Sequence, residues 1–153
     1  MLEFKVQDIN PGSVKGVTVN FICEADAYKE NWFEWNASRL TATFGKNNIA
    51  GGVLRAWKHV LIFSEMEYHE DTEVFYFISG TAIMPFADIV NGEIDMNSIQ
   101  VVRICPGTQI AINANKAHFV AVAETGEPVE IVVVAPVMEA PRISLTETVK
   151  GIL

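Results

Sequence analysis

Cysteine is almost missing from this chain of 153 residues, which carries only Cys23 and Cys105. Two cysteines without CxxC spacing exclude a disulfide framework, and Cys105, at the end of an apolar run, reads as a reduced core residue. Basic residues are scarce as well: 11 Lys and Arg stand against 19 Asp and Glu, a net charge of −8. No basic cluster offsets that charge, so neither nucleic acid nor an anionic membrane surface is expected as a partner. A local cationic pocket for a small anion remains compatible with it. Long apolar runs are absent too. Residues 52–63 are interrupted by Arg55, Lys58 and His59, and nothing reaches the length of a membrane span. The N-terminus lacks a basic start followed by an apolar stretch, so no signal peptide is expected and the expected location is the cytoplasm. Gly51-Gly52 does not make a phosphate-binding loop, and there is no GxSxG elbow or Cys–His pairing. Those absences disfavour nucleophilic catalysis by a side chain, and no organic cofactor is expected.

What the chain does have is apolar and β-prone. Half of the residues are apolar and a tenth aromatic, enough for one domain with a single sizeable core. Short β-rich runs cover residues 2–6, 14–22, 39–44, 52–56, 58–68, 73–78, 82–89, 99–105, 108–112, 118–123 and 129–135. Turn signals separate them, among them Asn10-Pro11-Gly12, Asn91-Gly92, Pro106-Gly107 and Thr125-Gly126-Glu127-Pro128. The pattern predicts an all-β sandwich or barrel. One short helix is expected within 24–35 and another over 144–153, the latter with Ser144 as N-cap and Glu147 in capping-box position. The single domain divides into N-terminal strands that extend a sheet (1–50), a barrel (51–136) and a tail (137–153).

Histidine is the informative minority. The chain has three, and two of them fall in segments of unusual composition. In the first segment, His69 is followed by Glu73 and then by an aromatic run ending at Gly80; Glu67 lies two residues before the histidine. In the second, His118 closes the stretch Asn113-Ala114-Asn115-Lys116-Ala117-His118. Two imidazoles and up to two carboxylates suit a divalent ion such as Zn²⁺, Mn²⁺, Fe²⁺, Co²⁺ or Ni²⁺. Buried together without a cation, two carboxylates would cost several kcal/mol or force one to protonate. Strand parity places Phe63, Glu65 and Glu67 on the face of His69, and Glu73 on the face of Phe75 and Phe77. Val74, Tyr76 and Ile78 form a second apolar face on that strand, so both faces should be covered. His59, ten residues before His69, is too far along to share the site and reads as a partly exposed strand residue. Arg55, Lys58 and Arg103 are open to either surface solvation or receipt of a substrate carboxylate. Trp32, Phe33, Trp35 and Trp57 are open to a pocket mouth, core packing, or a segment packed across a dimer.

Both histidine segments resemble the two motifs of the cupin superfamily. The first cupin motif runs glycine, histidine, histidine, glutamate, glycine. His69, Glu73 and Gly80 take its last three places, with three and six residues between them. Gly107, Asn113, Asn115 and His118 keep the spacing of the second motif's glycine, proline, glycine and histidine. Leu61 and Glu67 replace the first motif's opening glycine and first histidine, and Val122 replaces the second motif's final asparagine. The resemblance implies a cupin double-stranded β-helix (jelly-roll barrel) and a homodimer paired through a sheet. Within the cupins, Glu67-Tyr68-His69, Thr72-Glu73-Val74-Phe75, Gly107-Thr108-Gln109 and His118 are similar to elements of the ureidoglycolate lyase family. That resemblance implies a small-molecule enzyme of lyase or hydrolase type acting on a small polar carboxylate. Glu67, His69, Glu73 and His118 would be the metal ligands, with Glu67, Glu73 and His118 as catalytic residues. The rivals are a non-catalytic ligand-binding or sensor cupin, expected if Phe63, Phe75 and Phe77 plug the barrel, and a metal-dependent oxygenase or isomerase.

Overall fold

The computed structural model describes residues 1–153 and is all-β. The N-terminal region contributes β1 (Leu2–Lys5), β2 (Gln7–Asp8) and β3 (Val17–Phe21), then a 3-10 turn at Glu24–Asp26 and a small hairpin of β4 (Tyr28–Lys29) and β5 (Glu34–Trp35). Next come β6 (Ile49–Ala56), β7 (Ile62–Glu67), β8 (Glu73–Ser79) and β9 (Ala82–Ala87). A hairpin of β10 (Ile89–Val90) and β11 (Glu93–Ile94) turns on Asn91 and Gly92, both at positive φ as a two-residue hairpin loop requires. The chain ends with β12 (Gln100–Ile104), β13 (Thr108–Ile112), β14 (Ala117–His118), β15 (Val122–Ala123), β16 (Val129–Pro136) and β17 (Arg142–Ile152).

Two sheets enclose the main core. One has the order β3-β13-β8-β16-β6; the other runs β1-β17-β7-β14-β9-β12-β2, with β15 paired to β9. From β6 to β9 each successive strand lies in the opposite sheet, and the same alternation recurs from β12 to β17 with β14 and β15 together in the larger sheet. This is the double winding of a jelly roll, as the cupin resemblance predicts. Alternation fills the interior: Phe75, Phe77, Met84, Phe86, Val102, Ile104, Ile110, Ile112 and Ile131 all point into an 18-residue core.

A second core was not expected. Eleven buried residues, including Val6, Phe63, Met66, Ile83, Val101 and Val149, form a separate cluster. Ile83 and Val101 are the outward neighbours of Met84 and Val102, so this cluster lies on the other face of the larger sheet. The sheet curls around it. Its two end strands, β1 and β2, are joined by the single residue Val6, whose N–H donates to Ile152. The tail supplies the closing strand. Residues 142–152 are β17, paired with β7 and in parallel with β1, and not the helix that the capping signal predicts. Isoleucine, leucine and valine at positions 143, 145 and 149 are spent on this core, and tertiary burial overrides a local cap.

Other expectations also change. Residues 24–35 hold the 3-10 turn and hairpin in place of a helix, and 39–44 form no strand. Predicted strand 58–68 begins only at Ile62, and 118–123 splits into β14 and β15. Phe63 packs in the second core beside Met66, three residues on, so alternation breaks within β7, where the pairing with β17 shifts register. Cys105 is exposed, because the core-facing residue before it, Ile104, ends β12. The outer face of β8 is only half covered: Ile78 is exposed, as are Val132 and Val134 on β16 and Val53 on β6.

Gly80 shows why the motif needs its closing glycine. Its φ is +68°, and a Cβ there would sit 2.4 Å from the carbonyl oxygen of Pro128. Gly80→Ala is expected to destabilise the fold by more than the roughly 1 kcal/mol of an ordinary Gly→Ala strain at positive φ. Urea unfolding checks this: a midpoint that falls with unchanged slope is the expected result.

Candidate metal centre

Strand pairing brings the predicted residues together. Glu67 ends β7 and lies directly opposite His118 on β14, so the two side chains share one face. Phe86 of β9 flanks His118 from the other side. Glu73 opens β8 in the facing sheet, with Phe75 and Phe77 behind it on the same inward face. His69 lies in the connection that carries the chain from β7 across to β8. All four residues converge. His69, Glu73 and His118 are buried, His118 to 1% exposure, and the Glu67 side chain is 17% exposed.

Backbone carbonyls set the imidazoles. His69 Nδ1 lies 2.9 Å from the Glu139 oxygen, and His118 Nδ1 lies 3.1 Å from the Lys116 oxygen. A carbonyl only accepts, so each Nδ1 carries the proton and donates it; this assigns the tautomer from its partners. In the neutral ring, Nε2 is then the nitrogen that bears the lone pair. Both Nε2 atoms point at the same atom: Glu73 Oε2 is 3.1 Å from His69 Nε2 and 3.1 Å from His118 Nε2. Glu73 Oε2 and His118 Nε2 are buried and have no hydrogen-bond partner. They stand at ion-pair distance without a hydrogen bond.

A carboxylate oxygen and two imidazole nitrogens that meet in an apolar barrel call for a cation or a proton among them. The spacing suits a metal. Two ligands each about 2.1 Å from one ion lie roughly 3.0–3.4 Å apart at octahedral to tetrahedral angles. Glu67 extends the set: one ligand atom each from Glu67, His69 and His118 lie within 4.8 Å of one another, with Glu67 Oε1 3.9 Å from His118 Nε2. Imidazole nitrogen with carboxylate oxygen is the donor set of Zn, Mn, Fe, Co or Ni. The residues present therefore fit a divalent transition ion.

Around this centre, a turn holds both histidines. Asn115, at a φ of 61°, donates its N–H to the His69 carbonyl at 2.7 Å, and Lys116 next to it supplies the acceptor for His118. Asp71, buried between His69 and Glu73, accepts from the N–H groups of Gly45 (2.9 Å), Lys46 (2.9 Å) and Thr72 (2.7 Å). It staples the irregular 45–46 segment to the rim. Neither Asp71 nor Lys116 is evident from the sequence, because no motif marks the partners through which each acts.

The other residues considered lie elsewhere. His59 is exposed and bonds the carbonyl of Val60. Arg103 is chelated by Glu124 and Asp8, and Arg55 pairs with Glu130, so both guanidiniums are already neutralised. Trp32, Trp35 and Trp57 are exposed and pack in neither core. The largest cleft, about 600 Å³, is lined by Lys46, Tyr68, Glu70 and Met138 and runs beside His69 without reaching the converging side-chain atoms. Inside the barrel, the rings of Phe75 and Phe86 stand 6.2 and 6.3 Å from that of His118.

No protein-family model and no curated relative matches the chain. Solved structures do: oxalate decarboxylase from Bacillus subtilis aligns at 18% identity over 64% of this chain and 24% of its own, with a TM-score of 0.45. A second structure of that enzyme, described for its Mn(II) centres, gives 18% identity and a TM-score of 0.46 over the same shares, 64% and 24%. A variant of it covers 90% of this chain and 30% of its own at 14% identity and a TM-score of 0.46. The chain thus spans less than a third of the length of these enzymes, and its site is read from its own residues. No helix of the structure is long and apolar enough to cross a membrane.

The three N–H donors, Gly45 foremost, hold the Asp71 carboxyl below its usual range. Its stabilisation is therefore full above the unfolded value of about 3.9 and is lost as pH falls through the depressed folded value. Asp71→Asn is expected to lower the urea midpoint at neutral pH by an amount that shrinks below about pH 4. A gap that stays constant down to pH 3 would remove Asp71 from the acid-sensitive groups.

Proposed function

We propose that the chain is a metal-dependent cupin that binds one divalent transition ion through His69, Glu73 and His118, with Glu67 completing or flanking the set. One observation carries this reading: the Nε2 atoms of two imidazoles, each anchored through Nδ1 by a carbonyl, meet one carboxylate oxygen in a buried space with no hydrogen bond among them. Bound there, a metal would supply Lewis acidity to polarise a substrate oxygen. The chain's own residues do the rest. Carbonyls of Glu139 and Lys116 hold Nδ1–H on both rings, so that Nε2 is the nitrogen each offers to a metal, and the aromatic rings behind His118 exclude water. Glu67, the most exposed of the four, is placed to move a proton between substrate and solvent.

We further propose a lyase or hydrolase acting on a small polar carboxylate, with ureidoglycolate the first substrate to test. The Glu67-Tyr68-His69 and Gly107-Thr108-Gln109 elements support that choice. A second reading is favoured by the packing of Phe75 and Phe86 against His118, which leaves little room beside the metal: a cupin that binds metal for structure or sensing without turnover. The location we propose is the cytoplasm. We also propose that two copies pair through the outer face of the five-stranded sheet, where Val53, Val132 and Val134 are exposed on one chain. Sedimentation should then show a dimer that Val132→Glu converts to monomer; a wild-type monomer at all concentrations would overturn it.

Elemental analysis of protein purified without tag or chelator tests the metal reading. Near-stoichiometric transition metal is expected, lost in His69→Ala and in His118→Ala. Metal in excess at a hundredfold over Kd should stabilise the fold by about 2.7 kcal/mol. Glu67→Gln should keep the metal and lower turnover of the matching substrate by roughly 10²–10⁴. Wild-type protein that holds no metal, and whose stability Mn²⁺, Zn²⁺ and Co²⁺ leave unchanged, would overturn the reading. Metal without turnover on any small carboxylate would favour the structural or sensor cupin.

A further inference from the structure

Lys116 is the buried charge that the site chemistry above leaves unused. It is 5% exposed, two residues from His118, and its ammonium lies 2.8 Å from Asp88 Oδ1. A lysine is rarely this buried unless paired, and removing one partner from such a pair leaves a costly orphan charge. Three further contacts give it a task. Its carbonyl accepts from His118 Nδ1. Its N–H donates to Asn113, closing the turn whose Asn115 holds the His69 carbonyl. Its aliphatic stem passes over Gly16, where Lys116 Cδ lies 3.4 Å from the position a Cβ would take. Asn113 is tied to the same place by its N–H to the Gly16 carbonyl at 2.9 Å.

Asp88 is fixed in its turn. Its N–H donates to Ser98 Oγ at 2.7 Å, its carbonyl accepts from Asp95, and Oδ2 takes exposed Lys15 at 3.0 Å. The two ammonium groups, Lys116 foremost, hold the Asp88 carboxyl below its usual range. The turn at 113–116 is thus braced from three sides: by Asp88, by Gly16 and by the backbone of His69.

We infer that Lys116 and Asp88 are positioning residues for the metal centre: their ion pair clamps the turn whose backbone sets the orientation and tautomer of His118 and the place of His69. Neither side chain touches the Nε2 and carboxylate oxygen atoms that would hold the metal. The inference rests on the metal reading for its consequence in affinity but not for its consequence in imidazole geometry. Partners of this kind are worth about 10–100-fold in metal affinity where they have been removed.

The test uses the full chain and Co²⁺ alone, with a second readout on metal-free protein. In long-range ¹H–¹⁵N spectra, wild-type His118 should show a single Nδ1–H tautomer. Lys116→Met and Asp88→Asn should each give mixed tautomers at His118 and bind Co²⁺ about 10–100-fold more weakly, with altered visible bands. Lys116→Arg should restore both signals, and Lys15→Met, which removes only the exposed partner, should match wild type. Asp88→Asn carries the test if Lys116→Met fails to fold. Wild-type His118 signals in Asp88→Asn or Lys116→Met, with Co²⁺ affinity within twofold where Co²⁺ binds, would overturn the clamp. Wild-type protein that binds no Co²⁺ would overturn the metal reading alone, since the tautomer readout stands without it.

Discussion

Two imidazole nitrogens and one carboxylate oxygen share a buried space with no hydrogen bond among them, and the rest of the molecule is arranged around that conflict. Acceptors do not converge at this distance in an apolar interior unless a cation or a proton joins them. A lone proton would satisfy one contact and leave the other unpaired. An ion with several open positions satisfies all three and can take Glu67 as well. The jelly roll supplies the geometry, since Glu67 and His118 come from neighbouring strands of one sheet, Glu73 from the sheet facing them, and His69 from the connection between. Each ligand is set by a different rigid element, so no single local distortion moves them together.

That rigidity has two sources. The interior core fixes the inward faces of β8, β9 and β13, which places Glu73 and the residues opposite it. The second core fixes the larger sheet from behind, because its curled edges enclose Met66 and Ala117, the residues immediately before Glu67 and His118. A ligand pair whose neighbours are wholly buried on the far face of the sheet has little freedom to drift. The tail strand β17 therefore bears on the site without touching it: it closes the second core, and the segment before it delivers the Glu139 carbonyl to His69.

What was legible in the sequence was periodic or spaced. The barrel followed from alternation and turn residues, and the convergence of Glu67, His69, Glu73 and His118 followed from motif spacing and strand parity. Gly80 sat where the motif places it because only a residue without Cβ can meet the Pro128 carbonyl. What was not legible depended on pairing over long separations. The tail read as a helix because Ser144 and Glu147 mimic a capping box, while its apolar residues answer to a core assembled from strands far away in sequence. Phe63 read as a barrel residue because parity assumes an unbroken register, and β7 does not keep one against β17. Cys105 read as buried because an apolar run precedes it, yet the strand stops one residue earlier. Asp88 and Lys116 gave no signal at all, since an ion pair across 28 residues has no pattern to detect.

The same packing constrains any ligand that reaches the centre. His118 is backed by Phe75 and Phe86, and Glu73 by the aromatic run behind it on β8, so approach from within the barrel is closed. His69 is held against the Glu139 carbonyl and capped by Asn115. Glu67 is the least buried of the four, and its oxygen stands farther from the His118 nitrogen than does that of Glu73. The open side of the centre is therefore the Glu67 side. Glutamate at the place of the motif's first histidine puts a carboxylate, and not a third imidazole, at the most exposed of the four positions.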